Sequence, residues 1–324
     1  MEQDRNQPEC SGVAAQEVPE LPLAYGPHEE AVRACYPKEY ERWGKKLRPL
    51  REIEHALQKR FRFGGIAQVT KALKRYDLLQ RGDHVAVAIS GGKDSLFLAK
   101  IFQSLVRFSE VPFTVSFFTM DPGYASDNRR LLEFNCAWLG IPVQIFDSDV
   151  FAVAEQLSKG TPCYLCARMR RGFLYARAQE MGCNKVALGH HFNDVIETTL
   201  LNVLWSGNYK NMMPKIAARN FKGMELIRPL FFVREQTIIR WRDYSGLCAL
   251  DCACTVTKRE EGSQRKEIKA LIAQLRETNP NVEHSIFRSG ENVALDAILG
   301  CLYGGEKHSF LENYGEDTWT FSKS

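Results

Sequence analysis

No apolar run in the 324-residue chain reaches the roughly 18 residues that a membrane-spanning helix needs. The N-terminus lacks the charged-then-apolar pattern of a secretory signal, so no membrane association is expected and the cytoplasm is the expected compartment. No internal repeat or low-complexity tract stands out. Only Cys10 and Cys35 precede residue 90, so there is no paired-cysteine metal motif in the first quarter of the chain. Ten cysteines would suit a disulfide scaffold in a short secreted protein. In a chain of this length without an export signal, clustered cysteines point to metal or redox chemistry. Cys136 and Cys183 fall in apolar segments and read as buried small residues.

The composition is that of a soluble globular protein, 44% hydrophobic and 25% charged. The net charge of +4 is unevenly spread: residues 1–30 hold seven acids, four prolines and a single base, Arg5. The rest is therefore basic, which favours a polyanionic partner, nucleic acid first. Residues 1–40 read as an acidic, Pro-rich tail or irregular cover. Residues 41–82 read as a basic helical region, with Leu50, Ile53, Leu57 and Phe61 at helical spacing. Among them stand Lys45, Lys46, Arg48, Arg51, Lys59, Arg60 and Arg62.

From residue 84 the pattern alternates. HVAVAIS, FTVSFFTMD, PVQIFD and KVALGHH are strand signals, each followed by a helical stretch, and Met224 to Phe232 is strand-like again. Such alternation predicts an α/β fold, a parallel sheet with helices on both faces, and ligand sites beyond the carboxyl ends of its strands. Ser90, Asp121, Asp147 and His191 all fall at such ends. Helices are expected over Arg234 to Tyr244 and Glu260 to Glu277, and a helix-like apolar stretch over Val293 to Leu299.

SGGKDS, Ser90 to Ser95, follows one predicted strand and opens a helix. Gly91 and Gly92 allow a tight turn whose N–H groups converge on an anion, and the helix N-terminus adds partial positive charge. Ser90 and Ser95 can donate hydroxyl hydrogen bonds, and Asp94 can hold Mg2+ or cap the helix. The loop is neither the Walker pattern nor GxGxxG. It resembles the SGGxDS loop of the ATP-pyrophosphatase, or PP-loop, superfamily, whose members adenylate an oxygen and release pyrophosphate. ATP and Mg2+ are the expected ligands.

PCYLCARMRRG carries Cys163 and Cys166 as a CxxC pair with Arg168, Arg170 and Arg171 behind it. CxxC alone fits a redox pair, half a zinc site or part of an iron–sulfur site. Its place after a helix and a Gly-Thr-Pro turn favours metal. Together, SGGKDS, PCxLCxRxRRG, LGHHxxDxxET and IRPL resemble the TtcA-type tRNA 2-thiocytidine synthetases over roughly residues 55 to 275. That resemblance implies an adenine nucleotide alpha hydrolase-like fold with helical N- and C-terminal additions. The ATP-binding domain would cover 83–232, a helical region 233–285, and a C-terminal extension 286–324.

The same resemblance implies ATP-dependent replacement of a tRNA base oxygen by sulfur, at cytidine C2 in the anticodon loop, with a [4Fe-4S] cluster on three cysteines. Cys163 and Cys166 match two ligands, and the third falls in the Cys248–Cys254 cluster, Cys254 ahead of Cys252. Asp94, His191 and Asp194 become the candidate catalytic groups. Ser90, Gly91, Gly92, Asp94, Ser95, Asp121, Gly189 and His190 would contact nucleotide, and Arg168, Arg170, Arg171 and the basic helix would bind RNA phosphates. The implied partners are tRNA and a sulfur donor, a cysteine desulfurase or sulfide, with a homodimer left open. Two departures stand out: DCAC where the family has CxxC, and Asn193 where it has an acid. Two alternatives are another adenylating enzyme with a Cys163, Cys166, Cys252 and Cys254 zinc site, and a non-catalytic nucleotide-binding iron–sulfur redox sensor.

Overall fold

The structure, a computed structural model, describes residues 16–17, 27–148, 162–250 and 261–315. Two compact units emerge, one of residues 1–195 and 212–264, the other of 196–211 and 265–324.

The larger unit is built on a seven-stranded sheet. Its strands are β1 (Gln16–Glu17), β2 (His84–Ala88), β3 (Thr114–Asp121), β4 (Val143–Asp147), β5 (Lys185–Ala187), β6 (Lys215–Ala217) and β7 (Glu225–Ile227). They lie in the order β1-β4-β3-β2-β5-β7-β6. The five inner strands are mutually parallel, and the strands at the two edges, β1 and β6, run antiparallel to their neighbours. The sheet is thus parallel at its centre, as the alternating pattern predicts. Only Glu225–Ile227 of the strand-like segment enters the ladder; the chain turns at once through Arg228 and Pro229.

The chain moves outward from β2 to β3 to β4 through helices Lys93–Phe108 and Ser126–Trp138. It then crosses back to β5, entering through helix Pro162–Glu180. With right-handed crossovers the first two helices cover one face and the third the other. Strand alternation agrees: Ala86, Phe118, Phe146, Val186 and Leu226 pack with Tyr175 and Ala178 of helix Pro162–Glu180 in one buried cluster. The reversal falls between β2 and β5, the topological switch point at which open α/β sheets bind ligands. SGGKDS leaves β2 and LGHH leaves β5, so the fold brings the two motifs side by side.

The region expected to be an irregular tail contributes β1 and two short helices, Pro27–Cys35 and Pro37–Trp43. Proline opens each helix, where its missing N–H and fixed φ cost nothing. Helix Leu50–Gln58 buries Leu50, Ile53, Ala56 and Leu57, so the apolar stripe read from the sequence is core. Helix Ala67–Arg75 follows it, and Glu235–Ser245 lies where a helix was expected. Lys100 is fully buried, and its ammonium is matched by Glu54, Gln103 and the Leu139 carbonyl.

In the smaller unit, helix Val282–Ser289 follows the charged helix Glu261–Thr278, and Arg276 reaches Glu283 at 3.4 Å. The apolar stretch Val293 to Leu299 yields only a single helical turn, Leu295–Ala297, which is too short to bury its side chains. A hairpin of β8 (Gly300–Tyr303) and β9 (Glu306–Ser309) turns on Gly304 and Gly305, both with positive φ.

Candidate active site

The PP-loop is shaped by its own residues. Gly91 adopts φ +76°, a conformation that a side chain would oppose. A Cβ there would also lie 2.6 Å from the Leu250 methyl Cδ1. The Ser95 hydroxyl donates to the Gly92 carbonyl at 2.9 Å and accepts from the Ser90 N–H at 3.2 Å, closing the turn on itself. Gly92 caps helix Lys93–Phe108 without a side-chain bond, so the first N–H groups of that helix stay open to an anion.

The LGHH loop packs directly on this turn. A Cβ on Gly189 would sit 3.1 Å from the Asp94 carbonyl carbon and from the Ser95 nitrogen. His191 is buried next to it. Its backbone N–H donates to Asp194 Oδ2 at 2.9 Å, while the Asp194 N–H donates to His191 Nδ1 at 3.4 Å. That arrangement leaves the ring proton on Nε2. Nε2 faces Asp94 Oδ1 at 3.7 Å and Glu235 Oε1 at 3.9 Å. Asp94 Oδ1 is buried and makes no hydrogen bond, an orphaned acceptor in the middle of the site. Lys93 bridges Asp94 and Glu235, at 3.1 Å to each. Burial works against the Lys93 charge, but the two carboxylates outweigh it and hold its pKa above the ordinary lysine value.

Asp121 and Asp147 reach the same sheet edge and are drawn together by Arg129. Asp121 Oδ1 accepts from the N–H groups of Gly123 and Tyr124 at 2.9 and 2.7 Å, and Oδ2 pairs with Arg129 at 2.6 Å. Arg129 also holds Asp147 at 2.8 Å and Glu133 at 2.9 Å. Burial opposes its charge, yet these hydrogen bonds keep its pKa above the ordinary arginine value. The Asp121 carboxylate is thus committed to shaping the loop after β3.

Two groups escaped the sequence reading. Arg129 and Glu235 carried no motif, and only their folded neighbours single them out. Asn193 was read as keeping hydrogen-bonding capacity while losing a charge. Its Oδ1 accepts the Glu235 N–H at 3.0 Å and caps helix Glu235–Ser245 from outside the helix.

The cysteines fall differently. Cys163 and Cys166 lie in the first turns of helix Pro162–Glu180; their side chains and that of Arg168 are outside the described residues, as are Cys252 and Cys254. Helix Pro162–Glu180 ends one short turn before β5, so its N-terminus points to the carboxyl edge. The Leu250 N–H donates to the Gly91 carbonyl at 3.0 Å, immediately before the cysteine cluster. Among the described cysteines, burial pushes Cys136 and Cys183 above the ordinary thiol range, Cys183 to about 11, which suits neither to thiolate ligation. Arg170 and Arg171 are exposed. Among the described residues no group of three or more His, Cys, Asp or Glu side chains is placed to hold a metal ion, and no helix is long and apolar enough to cross a membrane.

Known proteins match this arrangement. The PP-loop domain family matches residues 66–248. The tRNA-cytidine(32) 2-sulfurtransferase of Syntrophotalea carbinolica is 36% identical over 71% of this chain and 90% of its own. The protein of the same name from Geotalea daltonii is 36% identical over 74% and 94%. Among solved structures, the U34-tRNA thiolase NcsA from Methanococcus maripaludis with its [4Fe-4S] cluster shares the fold. It superposes with a TM-score of 0.58 at 24% identity, covering 73% of this chain and 79% of that one. A PP-loop clasped by a glycine-histidine loop at the switch point, in a chain this similar along its length, places the protein in the TtcA-type tRNA 2-thiocytidine synthetase family of the PP-loop superfamily.

Proposed function

We propose that the chain is an ATP-dependent tRNA sulfurtransferase that replaces the C2 oxygen of an anticodon-loop cytidine with sulfur. One observation carries the reading to these residues: Gly189 is packed against the backbone of the PP-loop beside a buried, unbonded Asp94 oxygen. Together they form a cradle of backbone donors with one buried acceptor. ATP fits it, since the loop has open N–H groups for phosphate oxygens, and Asp94 is the residue that would face Mg2+.

In the reaction the base oxygen attacks the α-phosphorus, forming an O–P bond as pyrophosphate leaves. Backbone N–H groups of residues 91–95 stabilise the charge on the departing phosphates. His191, oriented by Asp194, holds a proton on Nε2 at this edge, and Glu235 and Lys93 keep Asp94 in place. A sulfur nucleophile then adds at C2 and AMP departs with the former carbonyl oxygen. Cys163, Cys166 and Cys254 would hold the [4Fe-4S] cluster, whose contribution when bound is a non-cysteine iron position able to present sulfur. Their soft thiolate donors fit such a group. Arg168, Arg170 and Arg171, next to Cys163 and Cys166 in sequence, would serve as phosphate contacts for tRNA. A cysteine desulfurase or free sulfide is the matching sulfur source, and the cytoplasm is the matching compartment.

Expression in a cell lacking its own tRNA cytidine thiolase, followed by nucleoside analysis of bulk tRNA, tests the reading. Recovery of 2-thiocytidine is expected. An unchanged profile would sink it. Stoichiometric zinc without iron in anaerobically purified protein would favour the zinc-dependent adenylating enzyme instead.

A further inference from the structure

Helix Leu50–Gln58 is followed by the turn Arg62–Ile66, whose hydrogen bonding is out of α register. The Ala67 N–H donates to the Arg62 carbonyl, five residues back. Such π-type turns insert an extra residue and recur at functional sites. Two glycines seat this one. A Cβ on Gly65 would lie 3.0 Å from Phe97 Cζ, and one on Gly64 would lie 2.9 Å from the Thr237 hydroxyl. The turn is therefore fixed against the beginnings of helices Lys93–Phe108 and Glu235–Ser245. Those beginnings belong to the catalytic edge, where Lys93 pairs with Glu235 at 3.1 Å. Thr237 stands about 3 Å along its helix axis from Glu235, and Phe97 about 6 Å from Lys93.

The phenylalanines on either side of Arg62 part company. Phe61 is buried and packs edge-on against Tyr244, with ring centroids 6.0 Å apart. Phe63 is 79% exposed and makes no ring contact among the described residues. Its surroundings are cationic: residues 59–76 hold six bases and no acid. Lys59 and Arg62 are exposed and pair with no carboxylate among the described residues. The same is true of Arg240, one turn beyond Thr237 on the same helix face.

An open aromatic ring set among unpaired cations is the pattern by which proteins hold single-stranded nucleic acid. The ring offers a platform to an unstacked base, and the cations follow the phosphate backbone. Two other occupants fit less well. The adenine of ATP would be enclosed, since small-ligand sites bury most of their ligand, whereas Phe63 stands open to solvent. A second copy of the chain would bring the same uncompensated bases face to face.

We propose that Phe63 stacks against one unpaired base of the RNA loop, with Lys59, Arg62 and Arg240 on the adjoining phosphates, at the edge where His191 stands. This rests on the tRNA thiolation reading above and adds a base contact to the phosphate contacts of the basic helix.

The test is tRNA binding by the full-length protein at several salt concentrations, comparing wild type with Phe63→Ala, Phe63→Leu and Phe63→Trp. ATP affinity, thermal unfolding and self-association are measured alongside. Phe63→Ala should bind tRNA roughly 5- to 100-fold more weakly, the range for loss of one base–aromatic stack. Its salt slope should be unchanged, because no phosphate contact is lost. Phe63→Leu should lose nearly as much, and Phe63→Trp should keep wild-type affinity. ATP affinity and unfolding temperature should stay at wild-type values in all three, since the ring is exposed. Transfer RNAs made abasic at one unpaired loop position after another locate the base. One of them should weaken wild type as much as Phe63→Ala does, and weaken Phe63→Ala no further. Wild-type tRNA affinity in Phe63→Ala overturns the assignment alone, and so does wild-type affinity in Phe63→Leu, which would make the contact merely apolar. A loss confined to ATP affinity would give the ring to adenine, and a loss confined to self-association would give it to a second copy; either overturns the assignment. So do losses that add at every abasic position. Wild-type protein that binds no tRNA would sink both the assignment and the reading beneath it.

Discussion

Gly189 and Asp94 come from loops almost a hundred residues apart, yet a methyl group on the first would stand 3.1 Å from the carbonyl carbon of the second. The PP-loop is held from outside by this contact as well as by its own turn. Gly189→Ala should therefore push the loop open. Overpacking of this kind costs about 1–3 kcal/mol, and if it falls on the bound state, ATP affinity drops roughly 10-fold or more. Titration calorimetry with ATP checks it, and an unchanged affinity would show that the two loops separate without consequence.

Gly91 is constrained twice, by its φ of +76° and by the Leu250 methyl 2.6 Å from where a Cβ would be. Gly91→Ala should destabilise the protein by about 1–3 kcal/mol. Adding Leu250→Ala should remove the steric part and leave the backbone part. Urea unfolding of the two single variants and the double variant separates them; strict additivity would contradict the contact.

Asn193→Ala removes the side-chain oxygen that accepts the Glu235 N–H at 3.0 Å. A stability loss of about 1 kcal/mol is expected, as for other lost caps. Asn193→Asp should restore it, since a carboxylate accepts the same bond and favours a helix N-terminus. Thermal unfolding of the pair decides whether this departure from the family pattern is a cap.

His191→Ala should lower thiolation turnover by about 100-fold, within the range for loss of a positioned proton carrier. Binding of ATP and of tRNA, measured separately, should change little. A variant with normal turnover would leave His191 as a packing residue.

The Cys183 thiol is raised to about 11, chiefly by burial. Below the ordinary thiol pKa both folded and unfolded chains carry neutral Cys183, and its contribution to stability is complete. As pH rises from about 9 towards 11 the unfolded thiol ionises first, so the contribution is lost across that window. The stability difference between wild type and Cys183→Ala should therefore narrow between pH 8 and pH 10.5, read by urea unfolding. A constant difference would argue against the burial effect.

The fold was legible where strand and helix periodicities alternate and where motifs sit at strand ends: β2 to β5 and the two loops between them follow from local pattern. The antiparallel edges were not, because β1 and β6 are too short to announce their direction, which depends on what they pair with. Arg129 and Glu235 were invisible for a related reason. Each matters through partners distant in sequence, and a lone charged residue has no period or spacing to mark it. Asn193 shows the converse. The sequence registered a missing charge with hydrogen-bonding capacity kept, and only the approach of the next helix shows which donor it serves.

The pairing of β2 with β5 joins Val85 to Lys185. Both intervening strands, β3 and β4, lie on the far side of β2, so this ladder closes a loop about a hundred residues long. Contacts of such separation carry a large closure entropy and form late. The clasp of Gly189 on the PP-loop cannot precede it. A chain still emerging from the ribosome, with β2 to β4 assembled but β5 unmade, thus carries the complete SGGKDS motif and no working cradle.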